Sequence, residues 1–231
     1  MSQLIITMDL DWASEAAIEE ALGFLLERNA VPTIFTTHRS PIVEACMNKL
    51  DVGLHPYFGP DSSHGETISE VVRHVLDLPH NLSAFRCHRF GVCNTSRQAM
   101  VEAGMKISSN VCTDLEIIAP FRDRFGLLEV PIFLEDGGYL WRKHSLEVCP
   151  KLRNALIGPE KKVILIHPMH LALNTPHFEY MHTIKQSVSR QEWNALSSAT
   201  LQRLRWQGRG IRDLLADILK IVPGNSTLRT L

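Results

Sequence analysis

Short apolar runs alternate with helix-patterned segments along the whole chain. Runs of this length bounded by turn residues are typical of buried strands. We predict about seven of them, at Leu4–Met8, Val31–Thr36, Val52–His55, Ser83–Arg86, Lys106–Ser109, Leu127–Val130 and Val163–His167.

Apolar residues between these runs recur at helical spacing. After Ser14, a candidate N-cap, the side chains of Ile18, Leu22 and Leu25 fall on one face of a predicted helix. The same spacing predicts further helices at Pro41–Lys49, Ile68–Leu76, Arg190–Trp206 and Ile211–Val222.

Repeated strand–helix alternation predicts an α/β fold with a parallel sheet and external helices. About seven strands favour a single distorted (β/α) barrel over an open sheet. No repeat, low-complexity tract or linker divides the sequence, so we expect one domain over residues 1–231, with 223–231 as a frayed tail.

Polar residues cluster where the predicted strands end, which is where barrels of this kind place their active sites. Asp9 and Asp11 end the first strand, and His55, Arg86 and His167 end later ones. The sequence therefore predicts one site at the carboxyl ends of the strands.

Asp9 and Asp11 are separated by one residue, and alternate residues of a strand point to the same side. Two carboxylates held together require a cation or a shared proton. A metal ion with one aspartate as ligand and the other as base satisfies this requirement. The alternative is a helix-capping aspartate followed by a surface aspartate.

His55 ends a strand, and His64 follows the turn-rich stretch Pro56–Gly65. Two neutral imidazoles and one carboxylate form a three-ligand set that leaves a position open, as in catalytic zinc sites. His64 is also compatible with an ordinary loop histidine.

Arg86 at a strand end can hold a carboxylate bidentately, and Asp9 is the candidate. His167 follows the aliphatic run Val163–Ile166 and is the natural general acid, since imidazole titrates near neutral pH. Both residues would then line the mouth of the barrel. An ordinary surface arginine is the alternative for Arg86.

Four further residues near these strand ends are candidates for supporting roles. Asp136 lies in Glu135–Tyr139, a turn by composition, and either orients a histidine or is an ordinary turn aspartate. Trp141 is either a sugar-stacking face or a core residue. His88 and His170 are candidate substrate contacts.

The bulk composition excludes several classes of function. The 231 residues carry a formal net charge of −1, which argues against a nucleic-acid partner. The five cysteines show no metal-type spacing, which indicates reduced thiols. There is no basic leader and no apolar run of membrane-spanning length, so we expect a cytoplasmic protein. The oligomeric state stays open.

The order Asp-x-Asp, His, Arg, Asp and His at successive strand ends resembles the polysaccharide deacetylases, the NodB-homology proteins of carbohydrate esterase family four. The resemblance covers roughly Ile5 to His170. It is greatest to the divergent members encoded with O-antigen and other surface-polysaccharide genes, on the stretches His55-Pro56 and 167–170.

The resemblance implies a NodB-like barrel that hydrolyses the N-acetyl group of an amino sugar or sugar nucleotide. It implies a divalent metal, zinc by default and nickel or cobalt as alternatives, with the ligands Asp11, His55 and His64. Asp9 would be the base, oriented by Arg86. His167 would be the acid, with Asp136 as its partner, and the candidate substrate contacts are His88, Trp141 and His170.

Two departures from the family pattern leave alternatives open. Leu10 separates two aspartates that are adjacent in the family, so the roles of Asp9 and Asp11 are exchangeable. Eight residues separate His55 and His64, a longer spacing than in the family, so His88 or a water molecule is an alternative third ligand. The rival functions are a metal hydrolase acting on a phosphoester or a non-sugar amide, and an inactive barrel that binds sugar or a partner protein.

Overall fold

The computed structural model describes residues 3–223 and 225–231. Within them the chain forms nine strands in one sheet. The strands are β1 Gln3–Asp9, β2 Thr33–Thr36, β3 Asp51–Leu54, β4 Ala84–Phe85, β5 Ile107–Ser108, β6 Phe121–Arg122, β7 Leu128–Glu129, β8 Ile132–Glu135 and β9 Lys161–Ile166.

Helices follow most of the strands. They are α1 Glu15–Leu26, α2 Pro41–Ala45, α3 Ile68–Leu76, α4 Asn94–Glu102, α5 Asp136–Trp141, α6 Pro150–Ile157, α7 Pro168–Leu173, α8 Phe178–Gln186, α9 Arg190–Asn194, α10 Ser198–Leu204 and α11 Ile211–Ile221, with short 3₁₀ turns at His88–Phe90 and Leu228–Thr230. None of the helices in the described part of the chain is long and apolar enough to cross a bilayer.

The sheet is parallel apart from one edge strand. Its order is β6-β7-β5-β4-β3-β2-β1-β9-β8, and only β6 runs antiparallel to its neighbour. Beyond β5, backbone hydrogen bonds join residues 111–115 to β8, including Ile132 N to Val111 O at 2.8 Å. The curled sheet is therefore bridged across the gap between β5 and β8.

The prediction of an α/β fold with a parallel sheet is confirmed, but the strand count is nine rather than about seven. All seven predicted runs contain a strand. The two strands without a prediction are β6, which is exposed and two residues long, and β8, whose end at Glu135 precedes a glycine pair that is typical of turns.

Two predicted helices are shorter than expected. The segment Arg190–Trp206 is divided into α9 and α10, because the Ser197 side chain accepts a hydrogen bond from Thr200 N and starts a new helix. The helix predicted over Pro41–Lys49 ends at Ala45 and continues as turns.

The prediction of a frayed tail after residue 222 is wrong for the described residues 225–231. Ser226 N donates to Leu4 O at 2.9 Å beside β1, and the Leu228 side chain is fully buried. Arg229 Nε donates to Asp51 Oδ1 at 2.6 Å. Burial of Leu228 under the sheet offsets part of the entropy lost in ordering the tail.

The main core lies between the sheet and the layer formed by α1, α7 and α11. The central strands β1 and β9 are buried along nearly their whole length, which is why they are continuous aliphatic runs in the sequence. With the sheet covered in this way, polar side chains are left at the carboxyl ends of the strands.

Candidate active site

Residues from several strand ends line one cavity of about 920 Å³. Asp9 is the last residue of β1, His55 follows β3 and His167 follows β9. Parallel strands bring their carboxyl ends to one edge of the sheet, so residues far apart in sequence meet there. The structure brings these three side chains together in one cavity.

Arg86 is fully buried beneath the cavity and holds Asp9. Its Nη1 donates to Asp9 Oδ1 at 2.8 Å and to Thr7 Oγ1 at 2.9 Å. The remaining nitrogens, Nε and Nη2, donate to the carbonyl and the hydroxyl of Ser109 at 2.9 and 2.8 Å. Arg86 therefore contacts only one oxygen of Asp9, whereas the sequence suggested a bidentate pair.

Glu129, a buried residue that sequence reasoning passed over, fixes the segment that carries Ser109. Its Oε1 accepts from the backbone N–H groups of Asn110 and Val111 at 2.5 and 3.0 Å. Its Oε2 accepts from Arg97 Nη1 at 3.1 Å. The sequence did contain a signal for this role, because Glu129 is a carboxylate within an otherwise apolar strand. A carboxylate is rarely buried without partners.

Asp11 reaches the cavity through a left-handed turn rather than through strand alternation. Strand β1 ends at Asp9, and Asp11 and Trp12 have φ values of 46° and 55°. Aspartate tolerates this conformation, but tryptophan rarely adopts it. Such backbone strain is concentrated at functional sites.

Asp11, His55 and His88 form a compact cluster. Asp11 Oδ1 lies 3.0 Å from His55 Nε2 and 3.0 Å from His88 Nδ1. Burial of Asp11 favours its neutral form, but the adjacent His55 and His88 imidazoles outweigh burial, so the pKa of Asp11 lies well below its usual value. The carboxylate is therefore ionised at neutral pH.

The donor set of this cluster fits a divalent metal ion. The three ligand atoms lie within 4.8 Å of one another. Both ring nitrogens of His55 are buried and lie near carboxylates, Nε2 at 3.0 Å from Asp11 Oδ1 and Nδ1 at 3.6 Å from Asp9 Oδ2, but neither contact has hydrogen-bond geometry. Polar atoms buried in this way are costly unless they bind something else. One carboxylate and two imidazoles are ligands that zinc accepts, with a further position open.

His64 does not join this cluster, contrary to the predicted ligand set. Its Nε2 lies 2.8 Å from Thr37 O, and its Nδ1 accepts from Tyr57 N at 3.2 Å. A carbonyl can only accept, so Nε2 carries the proton and Nδ1 uses its lone pair on Tyr57. Burial lowers the pKa of His64 to about 4. The neutral ring anchors the loop 56–65, and His88 rather than His64 lies beside Asp11.

His167 and Asp136 form a second group at the cavity wall. Asp136 Oδ1 lies 2.6 Å from His167 Nδ1, and Asp136 Oδ2 accepts from His167 N at 2.6 Å. Burial opposes the charged form of His167, but the Asp136 carboxylate outweighs burial and raises the pKa of His167 well above its usual value. The pair therefore keeps a proton on the ring.

The predicted turn over Glu135–Tyr139 is instead the end of β8 followed by α5. The Glu135 carboxylate caps this helix by accepting from the backbone N–H groups of Gly137 and Gly138. A Cβ at Gly137 or Gly138 would lie 2.7 or 2.5 Å from those oxygens. The two glycines allow the cap, and the helix turns Asp136 toward His167.

The three residues predicted as substrate contacts line the same cavity. The Trp141 side chain is 62% exposed, so it is not a core residue, which was one of the two alternatives from the sequence. His170 is buried behind His167, and burial lowers its pKa to about 4, so it is neutral. His88 belongs to the Asp11 cluster, as described above.

Comparison with known proteins identifies the family of the chain. The model of the WbmS-like polysaccharide deacetylase family matches residues 6–185. No curated protein sequence matches the chain.

Several solved structures share the fold, including the following two. One, from Bordetella bronchiseptica, is assigned as a polysaccharide deacetylase involved in O-antigen biosynthesis. It has a TM-score of 0.81 and 20% identity, over 95% of this chain and 90% of that one. Another, assigned as a polysaccharide deacetylase from Mycobacterium smegmatis, has a TM-score of 0.52 and 15% identity, over 90% of this chain and 94% of that one. With the family match spanning most of the sequence, the chain belongs to the WbmS-like polysaccharide deacetylases.

Proposed function

We propose that the protein is a metal-dependent hydrolase that removes the acetyl group from an N-acetylated amino sugar or sugar precursor of surface-polysaccharide biosynthesis. The observation that carries the proposal is that the Asp11–His55–His88 cluster and the Asp136–His167 pair face one another in one cavity. His167 Nε2 lies 3.6 Å from Asp11 Oδ2. Hydrolysis of an amide needs both a place for the carbonyl and a proton donor for the amine.

Asp11, His55 and His88 would hold the metal ion, with zinc favoured by the donor set. When bound there, the ion supplies Lewis acidity toward the acetamide carbonyl and the attacking water. Asp11 is the ligand and Asp9 the base, because Asp11 contacts both imidazoles while Asp9 is held by Arg86.

Asp9 receives the proton of the attacking water. Arg86 occupies Asp9 Oδ1, which leaves Oδ2, 3.6 Å from His55 Nδ1, as the oxygen that would take the proton. His167 then donates the proton on Nε2 to the leaving nitrogen as the C–N bond breaks. Asp136 is a positioning residue, since it holds Nδ1 and leaves Nε2 facing the cavity. The products are acetate and a free amino sugar.

For the test, bound metal is removed from the protein with a chelator and zinc is added back. Acetate release is then measured with a panel of N-acetylated sugars and sugar nucleotides. We expect stoichiometric zinc and acetate from at least one panel member. Asp9→Asn should lower the rate by about 10²–10⁴-fold. Asp77→Asn, which alters an exposed aspartate outside the cavity, should not.

Two outcomes would overturn the proposal. If the protein binds neither zinc, nickel nor cobalt, the alternative hypothesis of an inactive barrel that only binds sugar would be favoured. Full activity of Asp9→Asn would show that Asp9 is not the general base.

A further inference from the structure

Three cationic side chains line the cavity that contains the candidate active site: Arg89, Lys185 and Arg190. All three residues are exposed, and none makes an ion pair within the described residues. They come from the 3₁₀ turn at His88–Phe90, from α8 and from the start of α9, rather than from strand ends. Because they are exposed while Asp9 and His55 are buried, the three cations lie where the cavity opens to solvent, which we call its mouth.

The arginines near the C-terminus are different. Arg205 and Arg212 both pair with Glu20, and Arg209 pairs with Asp217 at 2.7 Å. Carboxylates therefore engage these three arginines, which lie close together in the sequence. The positive charge that the fold leaves available at the site comes from residues scattered through the sequence.

An aromatic ring of the cavity wall supports each of the three cations. The Arg190 guanidinium carbon lies 5.7 Å from the Trp12 ring, and Arg89 lies 6.0 Å from the Tyr57 ring. Lys185 Nζ lies 5.7 Å from the Trp193 ring. Distances near 6 Å are within the range of cation–π attraction, so the rings help to hold the charges at the mouth.

Two of these rings also connect the cations to the catalytic cluster. Trp12 and Tyr57 pack edge-on against His88, with ring centroids 5.1 and 4.9 Å away. Arg190 and Arg89 are thus one aromatic ring away from a residue of the metal cluster. A substrate whose acetamide reaches His88 would place its neighbouring substituent beside these cations.

The carboxylates of the cavity offset at most one of these three positive charges. Asp9, Asp11 and Glu135 are engaged by Arg86, by the imidazoles and by the glycine N–H groups. Asp61 lies on the loop beside Tyr57 and forms no ion pair in the described structure. Three cations from separate elements match a group that carries several negative charges better than a single carboxylate.

We propose that the cavity mouth binds the diphosphate of an activated amino sugar through Arg89, Lys185 and Arg190. The proposal rests on the deacetylase function above and defines its substrate class as a sugar joined to a diphosphate. Both a sugar nucleotide and a lipid-linked diphosphate sugar have this chemistry. The exposed Trp141 and Phe178 on the same cavity offer apolar surface to the remainder of the molecule.

Calorimetric titration of the zinc-loaded protein with inorganic pyrophosphate, UDP, farnesyl diphosphate and neutral uridine tests this proposal. We expect pyrophosphate and at least one diphosphate ester to bind more tightly than uridine. The double variant Lys185→Gln/Arg190→Gln should weaken diphosphate binding by at least about tenfold. Lys151→Gln, an exposed lysine on α6 away from the cavity, is the matched control and should bind normally.

The ester that binds more tightly identifies the source: UDP indicates a sugar nucleotide and farnesyl diphosphate a lipid-linked sugar. Unchanged diphosphate affinity in a double variant with wild-type thermal stability would overturn the proposal, because the anion would then be held elsewhere.

Acetate release separates this proposal from the deacetylase function. If the double variant hydrolyses neutral and diphosphate-linked N-acetyl sugars like the wild type, the diphosphate site is refuted and the deacetylase stands. If diphosphate binding depends on the two cations but no panel member releases acetate, the diphosphate site stands and the deacetylase is refuted.

Discussion

His167 Nε2 lies 3.6 Å from Asp11 Oδ2, while the other ring nitrogen of His167 is held by Asp136 at 2.6 Å. The two nitrogens of one imidazole therefore face different carboxylates, one in the proposed metal cluster and one behind the ring. Because Asp136 is buried and His167 follows β9, the orientation of the ring is fixed by the fold. In the proposed mechanism, this relationship would present the proton on His167 Nε2 to the leaving amine.

Replacement of Asp136 by asparagine should shift the pH dependence of deacetylation. Asp136 raises the pKa of His167, so its loss should lower that pKa. A general acid works only when protonated, so activity is lost as pH rises through this pKa. The alkaline limb of kcat against pH should therefore move to lower pH by at least about one unit.

Asp114→Asn is the matched control, because Asp114 holds His144 Nε2 at 2.7 Å outside the main cavity. Its profile should equal that of the wild type. An unmoved alkaline limb in Asp136→Asn would show that His167 is not the acid.

Substitution of His88 and of His64 should separate the two candidate third ligands. We expect His88→Gln to weaken zinc binding by at least about 100-fold, since it removes a proposed ligand. His64→Gln should keep stoichiometric zinc and lower the melting temperature, because both ring nitrogens of His64 hydrogen-bond to backbone groups. Zinc content is measured by metal analysis after gel filtration. The melting temperature is measured by thermal unfolding.

The reverse result, in which His64→Gln loses zinc and His88→Gln retains it, would restore the ligand set predicted from the sequence. It would also require the loop 56–65 to rearrange when metal binds.

Truncation of Arg86 should destabilise the fold as well as the site. Arg86→Ala leaves the Asp9 carboxylate buried without its cation, which costs about 3–5 kcal/mol. Urea unfolding at neutral pH measures the loss. Arg153→Ala, an exposed arginine on α6, should change the free energy of unfolding by less than about 0.5 kcal/mol. Equal stability of the two variants would contradict the assigned role.

Leu228→Ala should show that the C-terminal segment is part of the core. The side chain is fully buried in the cluster that includes Ile5 and Phe35, so its truncation should cost about 2–5 kcal/mol. Thr230→Ala, two residues away and exposed, is the control. A loss below about 0.5 kcal/mol in Leu228→Ala would indicate that the tail detaches in solution.

The sequence alone determined the strand framework and most of the site. Strands such as β1 and β9 are buried on both faces, so they appear as continuous aliphatic runs, and a polar residue at the end of such a run stands out. Asp9, His55, Arg86 and His167 were identified in this way. Strand β8 was missed because the glycines after Glu135 are typical of a turn, although here they admit a carboxylate cap.

Only the tertiary structure decided which histidine joins Asp11 and His55. His64 and His88 lie 9 and 33 residues after His55, and sequence distance favours His64. The fold turns both nitrogens of His64 to backbone groups and brings His88 Nδ1 to Asp11 instead. The choice depends on hydrogen bonds between residues distant in sequence, which no local pattern records. The same reason explains why the unpaired cations at the cavity mouth were not visible before the chain was folded.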